Sequence, residues 1–410
     1  MSKANTQRVL KDLNALRQFG AYKSGVHRPT LSPQDMKARQ WLEVRLKEIG
    51  HDVCIDGVAN VVGQAPGSGP HVLCGSHLES QNHAGWLDGA LGVIYALEAA
   101  RVVAEQHGSS GLGVDVIAFS DEEGHFSGNF SFLGSQSFIG DMSDDLLDAS
   151  KDRSGRGSLR QMLASAGLQG RALKTADKSR YRAFLEAHIE QGNRLESEGL
   201  KIGIVTSIVA IWQYRIIFEG MQNHAGTTTM ATRRDAGKAL MQLWTKIEED
   251  FPQVCGPDSV WTVGRVELEP GQPSIIPGAA EMTFQFRDAD RATLERMQSK
   301  LQELVYVIDA SGPCSARLEI VARSEPALMA DAPQQALEGA ALRYAPDQFR
   351  FMASGAGHDA QVIAPHIPSA MMFVPSIGGI SHHWTENTSD EDIAVGAEVY
   401  VDAVLRLLNV

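Results

Sequence analysis

The sequence predicts an α/β protein of two domains, the smaller an α+β unit inserted into the larger. Three observations carry this. At 410 residues the chain is long for one hydrophobic core, so two domains are expected. Short apolar runs alternate with helical patterns up to about residue 210 and again from about residue 328, as strands buried by helices do. Between them the order becomes strand, helix, strand, strand, helix, strand. That is the ferredoxin-like split unit, compact enough to stand as a domain. The larger domain therefore reads as 1–210 with 328–410, and the insert as 211–327.

Helices are expected over 5–19 and 33–49. In the second, Ser32 can cap, Pro33 suits the first turn, and Met36, Trp41, Leu42, Leu46 and Ile49 form the apolar face. Strands follow around 51–56, 58–64 and 70–76, then a helix over 89–106 and a buried strand at 113–120. Residues 141–180 are polar, with helix signals near 143–149 and 158–166, and Phe184–Gln191 is a strand. In the insert, strand Trp212–Glu219 leads to a turn at Asn223-His224-Ala225-Gly226 and a helix over about 227–251. Strands at about 259–268 and 278–287, a helix at 291–310 and a strand at 315–323 complete it. The return brings a helix at 333–345, a strand at 348–352, the Gly-rich SGAGHDA, a strand at 369–374, the loop GGISHHWTENTS and a helix at about 390–408.

Composition narrows the partners. A net charge of −13 without a Lys/Arg block argues against nucleic acid. No apolar segment in residues 1–30 reads as a signal peptide, and no run of about 18 apolar residues could span a membrane. Cys54, Cys74, Cys255 and Cys314 are scattered without CxxC spacing. Reduced thiols in a cytoplasmic protein are the expectation.

The chemistry centres on His71–Gly92, HVLCGSHLESQNHAGWLDGALG. Val72-Leu73-Cys74 reads as a buried strand, His77 marks its end, and Asp88 precedes the next helix. Ligands collect at the carboxyl ends of strands in such sheets. The strand at 113–120 ends in Asp121-Glu122-Glu123-Gly124, and the strand at 184–191 ends in His188, Glu190 and Gln191. With His382 or His383 in the last loop, imidazole and carboxylate donors converge. Five ligands sharing one carboxylate suit a pair of metal ions roughly 3.5–4 Å apart, which makes hydroxide available near neutral pH. One of Glu122 and Glu123 can bind metal while the other accepts the water's proton. Each residue alone has a plainer reading, a hydrogen-bonded His or a solvated Glu-Glu turn; the set points to metal. His83, His107 and His125 are expected at the surface or behind the site. His358 is expected beside a helix start or lining the site. SGAGHDA lacks the GxxxxGK[ST] of a phosphate loop.

In chain order the motifs GSHLES, GWLDGALGV, DEEG, HIEQG, NHAGTT, IIPG with FRD, SGAGHDA and GISH resemble those of the carbamoylase branch of the di-metal aminoacylase and carboxypeptidase superfamily. N-carbamoyl-L-amino-acid hydrolases, allantoate amidohydrolases and ureidopropionases belong there, among the hydantoinase/carbamoylase amidases. The resemblance implies an aminopeptidase-like catalytic domain and an insert that serves as lid and dimerisation domain of a homodimer. It implies two divalent ions per subunit (zinc, or manganese, cobalt or nickel), with Asp88 bridging them. Glu123 and His382 would hold one ion, His77 and His188 the other, and Glu122 would be the general base. His224 would polarise the scissile carbonyl, as a catalytic and substrate-binding residue reaching an active site, expected to be the partner subunit's. Arg287 would hold the substrate carboxylate, and Gln191 and Gly357 would position the ureido or amide group.

Three positions depart from the family pattern. Glu79 stands where an Asp usually orients the metal-binding His, and can do so if the loop gives way to its longer side chain. Ser274 replaces an Asn that bears on the substrate's carboxylate end, and His125 an Arg near the metal site. The expected substrate is an N-carbamoyl amino acid or similar ureido acid, cleaved by metal-bound hydroxide to the amino acid, ammonia and CO2. Allantoate or an N-acyl amino acid is the alternative. A metal-binding scaffold without catalysis is the reading from another class, and Glu122 argues against it. An exopeptidase is disfavoured by His188.

Overall fold

The computed structural model describes residues 4–108, 111–126 and 132–409. The chain divides into two compact units, Met1–Ile208 with Ala327–Val410, and Val209–Pro326. The first opens with α1 (Thr6–Arg17), α2 (Pro33–Glu48), β1 (Asp52–Ile55), β2 (Val61–Gln64), β3 (His71–His77), α3 (Ala90–His107) and β4 (Gly113–Phe119). A short α4 (Leu133–Ile139), β5 (Tyr181–Ile189) and β6 (Ile202–Ile208) follow. The second unit holds β7 (Ala210–Glu219), α5 (Ala236–Asp250), β8 (Val260–Glu269), β9 (Ala279–Asp288), α6 (Arg291–Ser311) and β10 (Ser315–Arg323). The chain returns through α7 (Asp331–Tyr344), β11 (Phe349–Ser354), β12 (Ser369–Val374) and α8 (Asp390–Leu408).

In the larger unit a nine-stranded sheet runs in the order Ala327–Leu328, β6, β12, β5, β3, β4, β2, β1, with β11 against β6. Its centre, β12-β5-β3-β4, is parallel, so four carboxyl ends share one edge. All seven residues of both β3 and β4 are buried. Successive side chains point to opposite faces: Val72, Cys74, Val114 and Val116 pack with α3 and α8, while Leu73, Ile117 and Phe119 pack with Phe138 of α4 and with Phe184. Two-sided burial explains the continuous apolar runs.

The second unit is a four-stranded antiparallel sheet, β8-β9-β7-β10. Alternate β9 residues are buried, and Met282, Phe284 and Phe286 pack with Tyr214, Leu243 of α5 and Leu301 of α6. Asp235 and Asp290 cap the two helices.

Local chemistry moved several boundaries. α5 begins at Ala236 rather than 227, because the Asp235 carboxylate accepts the Lys238 N–H at 3.0 Å and stops the helix there. The strand expected over 58–64 starts only at Val61, since Asp56 accepts the Val58 and Asn60 N–H groups at 3.0 and 2.8 Å and makes a turn. β6 and α4 were not anticipated. β6 carries Gly203 and Ser207 in a short run and gets its place from β12 and β11, which are distant in sequence.

Candidate active site

The shared edge of β12, β5, β3 and β4 collects the donors. His77 is the last residue of β3, and His188 the last but one of β5. Asp88 directly precedes Gly89, the N-cap of α3, whose φ is 66°. A Cβ there would lie 2.4 Å from the His77 ring, so glycine lets the helix start against that imidazole. Glu122 and Glu123 follow β4 after Asp121, which is in the left-handed region at φ 60°. His382, at φ 55°, lies in the loop after β12.

Asp88 stands between two groups of donors. Its Oδ1 is 3.0 Å from His188 Nε2 and 3.5 Å from His77 Nε2. Its Oδ2 is 3.3 Å from His382 Nε2, which is 3.5 Å from Glu123 Oε2. Within each triad, His77-Asp88-His188 and Asp88-Glu123-His382, one donor atom per residue lies within 4.8 Å of the others. Glu122 belongs to neither, although its Oε2 is 3.5 Å from His77 Nε2. His77 Nδ1 faces the carbonyl oxygen of Glu79 at 3.2 Å and His188 Nδ1 that of Ile189 at 2.9 Å. A carbonyl only accepts, so each Nδ1 carries the proton; His77 Nε2 turns its lone pair to the carboxylates, and His188 Nε2 accepts the Gly89 N–H at 3.2 Å beside Asp88. His77 Nε2 is buried without a hydrogen-bond partner. Lone pairs crowded against carboxylates repel unless a cation or proton lies between them, and these N and O donors fit a first-row divalent metal ion.

The electrostatics agree. Burial opposes ionisation of Asp88, but His188, His382 and His77 outweigh it and hold the carboxyl well below its ordinary range. Burial pushes Glu122 well above that range; His77 opposes the rise and Glu123 adds to it. Glu123 is raised by burial and by Asp88. Burial would lower His77, yet Glu122 and Asp88 reverse the direction. Burial would lower His382, but its bond to Asp88 and the charges of Glu123, Asp88 and Glu386 together push it up to about 10.

Gln191, also left-handed at φ 59°, donates through Nε2 to Asp88 Oδ2 at 3.0 Å and Ser381 Oγ at 3.1 Å. At Gly357 a Cβ would lie 2.8 Å from the Phe132 ring. His383 turns away: its Nδ1 is 2.7 Å from Thr385 Oγ1 and its ring lies against Trp384. Glu190 accepts the Arg194 and Leu195 N–H groups at 2.9 and 2.8 Å and caps the helix Arg194–Glu198. His83 is exposed and stacks on His27. His125 is buried, with Nδ1 3.0 Å from Thr30 Oγ1. His358 is buried too, its ring 4.5 Å from that of His188 and its Nε2 3.0 Å from Ser354 Oγ.

The expected use of Glu79 needs correction. His77 is oriented by the main-chain carbonyl of residue 79, while the Glu79 carboxylate turns to Arg39 and to the Glu122 N–H, each at 2.6 Å. The extra methylene carries the carboxylate past the imidazole. Glu386 and Glu186 are buried carboxylates beside the site that no sequence motif singles out. Glu386 accepts the Leu87 and Asp88 N–H groups at 3.4 and 3.2 Å and Ser381 Oγ at 3.2 Å, and is pushed up to about 8 by burial and Asp88. It ties the Asp88 loop to the His382 loop, and nothing in the polar stretch WTEN marks it. Glu186 accepts Ser76 Oγ at 2.7 Å and the Ala360 N–H at 2.9 Å. Its place in FLEAH, two residues before His188 on the same strand face, was a usable signal.

In the second unit, the two-residue strand Asn223–His224 pairs with Ile275–Ile276. His224 is exposed, and its Nδ1 accepts the Gly226 and Thr227 N–H groups at 3.0 and 3.2 Å. The ring proton is therefore on Nε2, which is left as a donor. Ser274 is exposed, and its carbonyl accepts the Ala225 N–H at 2.9 Å. Arg287 is half-buried on β9, and burial lowers its pKa.

The sequence model of peptidase family M20/M25/M40 matches residues 72–406. The chain belongs to this family. Enzymes of family M20/M25/M40 are metal-dependent, and the two Asp88-centred triads supply candidate ligands in this member. The N-carbamoyl-L-amino-acid amidohydrolase of Paenarthrobacter aurescens is 33% identical over 417 residues, covering 100% of this chain and 98% of that protein. The allantoate amidohydrolase of Escherichia coli (strain K12) is 33% identical over 397 residues, covering 96% and 95%. The crystal structure of an amidase of the hydantoinase/carbamoylase family from Burkholderia phymatum aligns with a TM-score of 0.92 at 45% identity, covering 100% of this chain and 99% of that one. The resemblance read from the motifs holds. Among the described residues no helix is long and apolar enough to cross a membrane.

Proposed function

We propose that this M20/M25/M40 member is an amidohydrolase that cleaves the linear C–N bond of an N-carbamoyl amino acid or similar ureido acid with two divalent metal ions. One observation carries the metal arrangement: the two oxygens of Asp88 face two separate triads, His77 with His188 and His382 with Glu123. These five residues would hold the ions, of zinc, manganese, cobalt or nickel. Bound metal would lower the pKa of water and polarise a carbonyl. Glu122, half-buried beside His77 and outside both triads, would take a proton from the attacking water and return it to the leaving nitrogen. Water attack on the carbamoyl carbon breaks the bond to the amino acid's nitrogen, and the carbamic acid released falls to ammonia and CO2.

The second unit acts in this reading as a ferredoxin-like lid and dimerisation domain of a cytoplasmic homodimer. His224 donates from Nε2 to the scissile carbonyl. Arg287 grips the substrate carboxylate with a planar fork, Ser274 contributes at that carboxylate end, and Gln191 and Gly357 position the ureido or amide group. The test is a panel of N-carbamoyl amino acids, allantoate, ureidoglycolate and N-acyl amino acids, assayed with added manganese, cobalt or zinc. Metal-dependent ammonia release from a carbamoyl amino acid supports the reading. Preference for allantoate moves the substrate within the same chemistry, and inactivity across the panel refutes the proposal.

A further inference from the structure

Two buried side chains link α2, β3 and β4 behind the site. Arg39 of α2 and Glu79 have fully buried side chains. Arg39 Nη1 donates to the carbonyls of Ala59 and Phe119 at 2.8 and 3.0 Å, Nε to Asp35 at 2.9 Å and Nη2 to Glu79 Oε2 at 2.6 Å. The other carboxylate oxygen, Oε1, accepts the main-chain N–H of Glu122 at 2.6 Å. Between these anchors Asp121 is left-handed, and its carboxylate accepts the Phe126 N–H at 3.2 Å and Thr30 Oγ1 at 3.0 Å. The turn is therefore held at the Phe119 carbonyl by Arg39 and at the Glu122 amide by Glu79. From it the adjacent side chains diverge, Glu123 towards His382 and Glu122 towards His77. Rotation of that peptide would displace both. His77 does not need the Glu79 side chain, since it leans on the main-chain carbonyl.

We propose that Glu79 is a positioning residue for Glu122: anchored on Arg39, it fixes the turn through the Glu122 amide and leaves the support of His77 to the backbone. This rests on the proton-handling role given to Glu122 above. Side-chain length is decisive. Aspartate is one methylene shorter and cannot span from Arg39 to the amide in the same backbone, whereas glutamine keeps the reach but sets an N–H against a donor on one side.

The experiment uses the full-length, metal-loaded chain with Glu79→Asp and Glu79→Gln. Bound metal is measured by elemental analysis, folding by thermal melting, and kcat and KM on the best substrate of the wild type. The expected result is wild-type metal content and KM with kcat lowered about 10–10²-fold, the scale of a misplaced catalytic group. Metal lost in step with kcat would show that the side chain supports His77, and wild-type kcat in both variants would show that it positions nothing; either overturns the proposal. Should Glu79→Gln not fold, Glu79→Asp, which keeps the charge opposite Arg39, is read alone; its failure to fold would make the carboxylate part of the scaffold and overturn the proposal too. A wild type inactive on the whole panel refutes the proposed function instead, while the metal content of the variants still reports what supports His77.

Discussion

Replacing Glu122 and Glu123 one at a time by Gln separates proton transfer from metal binding. Glutamine is nearly isosteric, so neither change opens a cavity. The Glu122 side chain is 9% exposed, belongs to neither triad and lies 3.5 Å from His77 Nε2. Glu122→Gln should leave the metal ligands in place and remove the proton acceptor. General-base losses run to about 10²–10⁴-fold, or about 3–5 kcal/mol of barrier, and should fall on kcat. Glu123 shares a triad with Asp88 and His382, so Glu123→Gln removes an anionic ligand and should release metal. Elemental analysis with steady-state kinetics on both variants decides. The reasoning fails if Glu122→Gln loses metal with only mild slowing while Glu123→Gln keeps metal and loses kcat.

Asp88→Ala takes one donor from each triad and should lose all bound metal and nearly all activity; wild-type metal content in that variant would refute the shared-carboxylate reading. His382→Ala should cost metal and His383→Ala should not, because only the former ring faces Asp88 and Glu123; the reverse result would put the ligand one residue later. Away from the site, burial opposes ionisation of Asp115, but bonds from His71, Arg180 and the Ala65 N–H outweigh it and hold its carboxyl below the usual carboxylate range. The stability this brings is present above the unfolded carboxylate's pKa and is lost as pH falls through the lowered folded value. Asp115→Asn should therefore cost about 3–5 kcal/mol at neutral pH, a gap in urea midpoints that narrows only below about pH 4; a gap independent of pH would point to packing. Mixing His224→Ala chains with Glu122→Gln chains should restore up to half of the wild-type activity per dimer if each site draws on both subunits, and no recovery in heterodimers confirmed by tagged pull-down would confine His224 to its own subunit or to no site. Arg287→Ala should weaken substrate binding by about 2–5 kcal/mol, read as KM.

Much of the candidate site was legible locally: His77, Glu122, Glu123 and His188 fall where apolar runs end as strands, Asp88 lies just before a helix, and a parallel sheet gathers such ends on one edge. The β-α-β-β-α-β order of the insert was equally legible, although its first helix starts at Ala236 and not at 227. How each donor is aimed depends on packing between segments far apart in the chain. Whether Glu79 orients His77 or the Glu122 turn depends on Arg39, forty residues earlier in the chain, and no local pattern records that pair. Glu386 acts on an amide roughly three hundred residues away, and β6 owes its place to β11 and β12, beyond the insert. A side chain's partner in a buried polar network is set by which main-chain groups the completed sheet leaves unsatisfied, and those exist only once distant segments have packed.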